Sequence, residues 1–538
     1  MELLPFANPG RFWKGNLHTH STRSDGTQPP QEVCRLYQQG GYDFIALTDH
    51  FLEQYGFPIT DTQPYRSDEF TTIIGAELHS GAIENGSVWH IVAAGLPFEF
   101  APPSSDESGA QLAARAMQAG AFGWSAMKTL ANRPDDGRFI PSQVAHNDEF
   151  LALAKVLNEF GVGHIGWTRG PAERPLPPGE PDLIGGGDPG AAVAAVTGQS
   201  AILMDAVEGD APGKGREDFL IEMCLASGRP IQWGAVSFNE NAPGRYLEQL
   251  AFLERARQEG APMFAQTTSY SPSPVFELAE YNGFDAMPNW IDPFVGTPEE
   301  RIAKLNMPEN RDKMRQDVGA YAGAGGAADA AAEWSKMRVV EGREDRNLQY
   351  EGKSIAELAE MMGKHPMDAM LDLAIDEGLR TEFTFDSAQG TDRKAVSEIL
   401  NHPYTHPCVS DGGAHTRYQT LGTWPVNMIA DRVRDQGMMS LEKAHYKMSS
   451  LPAMIAGFTD RGIIKEGFAA DIIVYDLDNL GLQFDSPVYD TDFPGGERRI
   501  IQKAKGIRFT IVNGEVTFTE GTVCTGATPG KLLRSYDM

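Results

Sequence analysis

His18 and His20 are separated by one residue. Residues two apart in an extended strand point to the same face, so both imidazoles can reach one metal ion. Five residues on, Ser24-Asp25-Gly26 places a carboxylate in a turn. His50 closes Thr48-Asp49-His50 after the apolar run Phe44–Leu47, and Glu77 lies near the end of another strand-like run, Thr71–Leu78. A lone HxH says little. With the SDG turn, the TDH end and the glutamate, His18, His20, Asp25, His50 and Glu77 form a mixed nitrogen and oxygen donor set suited to Zn²⁺ or Mn²⁺.

These residues need elements that bring strand ends together. Asn16–His20 reads as a strand, and Pro30 opens a helix that Gly40-Gly41 stops. Phe44–Leu47, Thr71–Leu78 and Val88–Leu96 continue as strands. Helix-then-strand pairs follow: Gln111–Ala119 with Gly120–Ser125, Asp148–Phe160 with His164–Thr168, and Glu217–Ala226 with Pro230–Val236. Tyr246–Gln258 with Pro262–Thr268 and Pro366–Glu377 with Thr381–Phe385 extend the series. Such alternation predicts an α/β fold, a TIM-like (β/α) barrel whose strand C-termini meet at one rim and gather the donor set. Pro171–Gly190 and Gly319–Ala332 are rich in Pro/Gly and Gly/Ala and read as loops. After about residue 465, Ile472–Tyr475 and a hairpin-like Thr510–Asn513, Gly514, Glu515–Phe518 predict a small C-terminal β domain. The expected divisions are 1–115, the first part of the barrel, 116–460, its continuation with insertions, and 461–538, the β domain.

The chain has 538 residues, 41% apolar and 22% charged, enough for a sizeable core and against global disorder. Its formal charge of −28 argues against a sequence-independent grip on nucleic acid or anionic membrane. No run approaches the length of a transmembrane helix, and the first fifteen residues lack a signal-peptide pattern. Cys34, Cys224, Cys408 and Cys524 are scattered without a CxxC pair. A reduced cytoplasmic protein acting on a small molecule is expected, with neither nucleic-acid nor membrane partners, and a homo-oligomer is compatible with the sequence.

Leu17–Gly26 (LHTHSTRSDG), Ala46–His50 (ALTDH), Ile74–His79 (IGAELH) and Trp89–Leu96 (WHIVAAGL) resemble the first half of a PHP (polymerase and histidinol phosphatase) domain, over about residues 12–115. That resemblance implies metal-dependent phosphoesterase chemistry, with His18, His20, Asp25, His50 and Glu77 matching the early metal ligands. Ala114–Ser125, Asp148–Gly163, Ser410–His415 (SDGGAH) and Asp460–Asp476 (DRGIIKEGFAADIIVYD) resemble instead the N-acyl-D-amino-acid deacylase branch of the amidohydrolase superfamily, from about residue 111 to the C-terminus. The second resemblance implies that Asp411 stands beside the metal as a ligand and as the general base for metal-bound water, with His415 binding or orienting substrate.

This chain departs from that branch where central strands often supply two more histidines: Pro230–Gly234 and Met263–Gln266 contain none. His164 is a possible substitute, His90 is expected to pack, and His402 and His406 are expected on a loop surface. Two chemistries follow, C–N bond hydrolysis of an acylated amine or cyclic amide, and phosphate-ester hydrolysis. An incomplete, non-catalytic binding protein is the third reading. A phosphate substrate needs cations in the mouth, and Lys14, Arg23 and Arg169 are too few to decide. The favoured expectation is a metal-dependent amide hydrolase, with Zn²⁺ ahead of Mn²⁺.

Overall fold

The computed structural model describes residues 15–42, 44–67, 70–79, 90–94, 96, 98, 100–102, 108–128, 145, 147–169, 216–269, 273–280, 284, 287–319, 331, 333–387, 390–408, 410, 417–420, 422–484, 488–491, 498–520, 523–531 and 533. Its first sheet holds β1 (Gly15–Thr19), β2 (Phe44–Leu47), β3 (His50–Phe51), β4 (Thr71–His79) and β5 (His90–Ala94). The strand order is β1-β2-β4-β3, with β5 also on β4. β1, β2, β3 and β4 pair in parallel. The Pro30–Gln39 helix makes the first crossover: Pro30 supplies the preset φ of its first turn, and Gly41 leaves it at φ +72°. Its Val33 and Cys34 pack with Tyr42, Ile45, Leu47 and Phe70.

β5 departs from the expected parallel alternation. It runs antiparallel to β4, His79 opposite His90. A parallel return requires a crossover of a dozen or more residues, and residues 80–89 are too few to supply one.

A second sheet contains β6 (Gly123–Lys128), β7 (His164–Arg169), β8 (Ile231–Gly234) and β9 (Met263–Thr267). After it the chain forms β10 (Val275–Phe276), β11 (Met337–Glu341) and β12 (Glu382–Phe385), then returns as β13 (Thr405–Pro407). The second sheet has the order β13-β9-β8-β7-β6, parallel throughout. Ile165, Trp167, Ile231, Trp233, Met263 and Ala265 alternate onto the face covered by the Asn147–Phe160, Arg216–Ser227 and Arg245–Gln258 helices, against Phe150, Leu157, Met223 and Leu253. β10, β11 and β12 form an antiparallel sheet of order β10-β12-β11, with its own core around Phe276, Trp290, Met370 and Phe383. Thr381–Phe385, expected as a strand of the barrel, therefore belongs to an insertion.

The architecture is α/β, with two sheets built largely of parallel strands. Among the described residues no ladder joins the first sheet to the second, so closure into one barrel is not seen there. Near the C-terminus, Ile472–Tyr475 pairs with Ile507–Val512, which turns through Asn513-Gly514 into Glu515–Thr519. Tyr475, Leu480 and Ile507 share a core with Val396, Leu400 and Met428, so apolar packing crosses the expected boundary at 460/461. Pro171–Gly190 and all of Gly319–Ala332 except Gly319 and Ala331 lie outside the described residues. No helix among the described residues is long and apolar enough to cross a membrane.

Candidate metal centre

β1, β2 and β4 deliver their side chains at their carboxyl ends. His18 is the penultimate residue of β1, and His20 follows the strand. β2 runs into Thr48-Asp49-His50, and in β3 His50 stands in register with Glu77 of β4. Glu77 and His79 are two apart on β4 and so share a face.

The five expected ligands His18, His20, Asp25, His50 and Glu77 come together, and His79 joins them. His20 Nδ1 lies 2.6 Å from Asp25 Oδ1, and His20 Nε2 lies 3.1 Å from Glu77 Oε2. His50 Nδ1 lies 2.8 Å from Glu77 Oε2 and 2.9 Å from His79 Nε2, while its Nε2 is 3.2 Å from Asp25 Oδ2. His18, His20 and Glu77, then His20, Asp25 and His50, then His50, Glu77 and His79 form three overlapping triads whose ligand atoms lie within 4.8 Å of one another.

Three acidic or aromatic-nitrogen donors meeting at one point fit a divalent cation. Bonds of about 2.0–2.2 Å to one ion set neighbouring ligand atoms about 3 Å apart, which is the spacing of these contacts. His20 Nε2 is buried and makes no hydrogen bond, so its contact with Glu77 carries a donor that a cation would satisfy. Exposure is uneven: the Asp25 side chain is 53% exposed and that of Glu77 7%. The cluster is closed on its β4 side and open toward Asp25, as a centre that admits water or substrate must be. Burial works to raise the Asp25 pKa, but the hydrogen bond from His20 and the charges of His50 and His20 outweigh it and hold the carboxyl below its ordinary value.

A further layer fixes these groups. Buried Asp49 accepts from the Ser21 amide at 2.6 Å and from the Ser21 and Ser24 hydroxyls at 2.8 Å each. It thereby ties the HxH strand end to the turn that carries Asp25. Thr48 Oγ1 lies 2.8 Å from His18 Nδ1, which leaves the other ring nitrogen of His18 to face the cluster. At Gly26 a Cβ would fall 2.6 Å from the backbone carbon of His20. Only glycine lets the turn press so closely on the strand end.

His79, Asp49, Ser21 and Ser24 are absent from the sequence-based donor set. The signal for His79 was available, since Glu77-Leu78-His79 repeats the every-second-residue spacing of His18-Thr19-His20. Asp411 and His415 lie outside the described residues, as do Lys14 and the side chains of His90 and Arg169. Their flanks are described: β13 ends at Pro407, the Cys408 amide donates to the Thr267 carbonyl at 3.3 Å, and Arg417 pairs with Glu280 at 3.1 Å. His164 sits at the start of β7, remote in sequence register from the strand ends. Burial, with Arg229 nearby, lowers its pKa. His402 and His406 correct the expectation of a loop surface. His402 caps the Arg393–Asn401 helix and lies 3.1 Å from Glu254, and His406 is buried at the middle of β13. Pro403 and Pro407, beside His402 and His406, suggest a loop, but a short strand paired on one side among the described residues tolerates Pro407 at its end.

Residues 314–518 match the amidohydrolase family. The N-acyl-D-aspartate deacylase of Alcaligenes xylosoxydans xylosoxydans is 31% identical over 149 residues, 27% of this chain and 27% of that protein. The N-acyl-D-glutamate deacylase of the same organism is 29% identical over 139 residues, 24% of this chain and 25% of that protein. The matched part thus spans about a quarter of each of these relatives. A solved N-acyl-D-glutamate deacylase from Bordetella bronchiseptica, complexed with zinc and a phosphonate inhibitor, aligns over 98% of this chain and 88% of its own at 17% identity and a TM-score of 0.43, too low to carry an argument about fold. What the comparisons establish is that residues 314–518 are amidohydrolase-like in sequence.

Proposed function

We propose that this chain is a metal-dependent hydrolase of the amidohydrolase type, cleaving a C–N bond in an acylated amine or cyclic amide. The observation that carries the reading is the convergence of His18, His20, Asp25, His50, Glu77 and His79 at the strand ends of a chain whose residues 314–518 are amidohydrolase-like. A divalent metal, Zn²⁺ ahead of Mn²⁺, would supply carbonyl polarisation and a lowered water pKa there. His18, His20, His50 and His79 would hold it through neutral imidazoles, with Glu77 and Asp25 offsetting its charge. Asp411 would accept a proton at its carboxylate and return it to the leaving nitrogen, and His415 would orient the substrate. This reading also takes the first and second sheets as parts of one barrel, with Asp411 on the rim that carries the cluster.

The test is a paired assay in Zn²⁺ or Mn²⁺, with N-acyl amino acids and cyclic amides in one panel and phosphomonoesters in the other. Asp411→Asn should reduce turnover of the first panel by at least about a hundredfold while the metal content stays near that of the unaltered chain. One observation favours phosphate-ester hydrolysis as a second reading: every member of the described cluster lies between residues 18 and 79, outside the amidohydrolase-like segment. Turnover confined to phosphomonoesters and unaffected by Asp411→Asn would establish that reading instead.

A further inference from the structure

Among the described residues, helices cover one face of the second sheet. Ile165, Trp167, Ile231, Trp233, Met263 and Ala265 occupy the covered face. By alternation the other face carries Gly166 and Thr168 of β7, Gln232 and Gly234 of β8, and Phe264 and Gln266 of β9. A packed barrel interior is filled by branched apolar side chains. Here Thr168 is exposed, Gln232, Phe264 and Gln266 are half-buried, and Phe264 alone among these residues carries an apolar side chain.

The two glutamines are arranged with respect to each other. Gln266 stands in register with Gly234, and a Cβ at 234 would come within 3.0 Å of Gln266 Oε1. The missing side chain lets the Gln266 amide lie across β8, where its Nε2 donates to Gln232 Oε1 at 3.2 Å. That bond uses one donor and one acceptor. It leaves the N–H groups of the Gln232 amide and the carbonyl oxygen of Gln266 without a protein partner among the described residues. Exchanging oxygen and nitrogen in both amides leaves the same complement, one donor beside one acceptor. His406, in register with Gln266 on β13, borders the pair. It is 1% exposed and neither ring nitrogen has a hydrogen-bond partner, and burial together with the Lys447 charge lowers its pKa to about 4, so it is neutral near pH 7.

We propose that Gln232 and Gln266, with His406 beside them, form a subsite that binds the edge of an amide whose N–H and C=O point the same way, as in a lactam or a primary carboxamide. The Gln232 N–H donates to the ligand carbonyl, and the ligand N–H donates to Gln266 Oε1. Gln266 is the penultimate residue of β9 and Gly234 the last of β8. Gln232 is the second residue of β8, so the subsite runs from the middle of the sheet toward the carboxyl ends of its parallel strands, the end at which such sheets bind ligands. The geometry stands on the sheet alone, whereas identifying its ligand with the substrate rests on the amide-hydrolase reading.

Ligand-observed saturation-transfer NMR on the full chain tests this with δ-valerolactam and its N-methyl derivative, which lacks the N–H. The unaltered protein should bind the lactam about fivefold to tenfold more tightly than the N-methyl form. Gln232→Met and Gln266→Met, each close in volume to the original, should each abolish that preference while the circular dichroism spectrum stays unchanged. Equal binding of the two lactams, or a preference that survives both substitutions, would overturn the subsite. Hydrolysis is measured separately on N-acyl amino acids. Loss of the lactam preference with that hydrolysis intact counts against the subsite alone, and a preserved preference without any amide hydrolysis counts against the proposed function alone.

Discussion

His20 is the residue on which the cluster turns. Its two ring nitrogens face Asp25 at 2.6 Å and Glu77 at 3.1 Å, and it belongs to two of the three donor triads. Removing it takes a donor from both, whereas His18→Ala removes one from a single triad. His20→Ala should therefore abolish most bound metal and His18→Ala should lower it less. Elemental analysis of the purified proteins measures both, and unchanged metal content in the two variants would show that the HxH pair is not the site. His79→Ala should also lose metal, because Nε2 of His79 lies 2.9 Å from His50 Nδ1. The donor types were legible from sequence because a strand's alternation is fixed. His79 is legible in the same way, two residues beyond Glu77, whereas Asp49 is not, because its part is to hold a turn rather than to face the cluster.

Elements place these side chains through backbone fit as much as through hydrogen bonds. The Ser21–Gly26 turn folds back on the end of β1, with the Gly26 amide donating to the Ser21 carbonyl at 2.9 Å. A methyl group at 26 would meet three backbone atoms of the His20–Ser21 segment at 2.6–2.7 Å, and backbone yields little. Gly26→Ala should displace Asp25 and weaken metal binding by at least about tenfold, a loss of about 1.4 kcal/mol, with competitive chelator titration as the measurement. Retained affinity would mean that Asp25 contributes little to the centre. Most helices and strands were readable because Pro30, Gly40-Gly41 and apolar periodicity mark their ends locally. The partner of a strand is not encoded that way. Thr381–Phe385 has the same texture as a barrel strand yet pairs antiparallel with β10 and β11, because 273–387 builds a core of its own. β5 turns antiparallel for want of crossover length, a constraint already present in the short spacing between the runs Thr71–Leu78 and Val88–Leu96.

Across the described residues, several partly or fully buried histidines couple folding to pH. His164, His402, His406 and His445 all have pKa values lowered from 6.5, burial being the largest cause in each. They are spread over the second sheet, the Arg393–Asn401 helix end, β13 and the Leu441–His445 helix. A folded-state pKa below the unfolded one means that the unfolded chain binds more protons between the two values. Stability is then fully present above pH 6.5 and falls as the pH drops toward the folded value. For His406 that window runs from 6.5 down to about 4, a loss on the order of 3 kcal/mol across it. Carboxylates held low by ion pairs, such as Asp372 and Asp386, add their own loss only below their ordinary value of 3.8. The two windows therefore separate. Urea unfolding of the unaltered chain should show its midpoint falling steadily from pH 6.5 to 4.5. In His406→Leu the midpoint at pH 7 should be no lower, because an imidazole with two unsatisfied buried nitrogens gives way to an apolar side chain. Its decline over the same interval should be visibly shallower. A variant with the same slope as the unaltered chain would show that His406 does not carry this proton linkage.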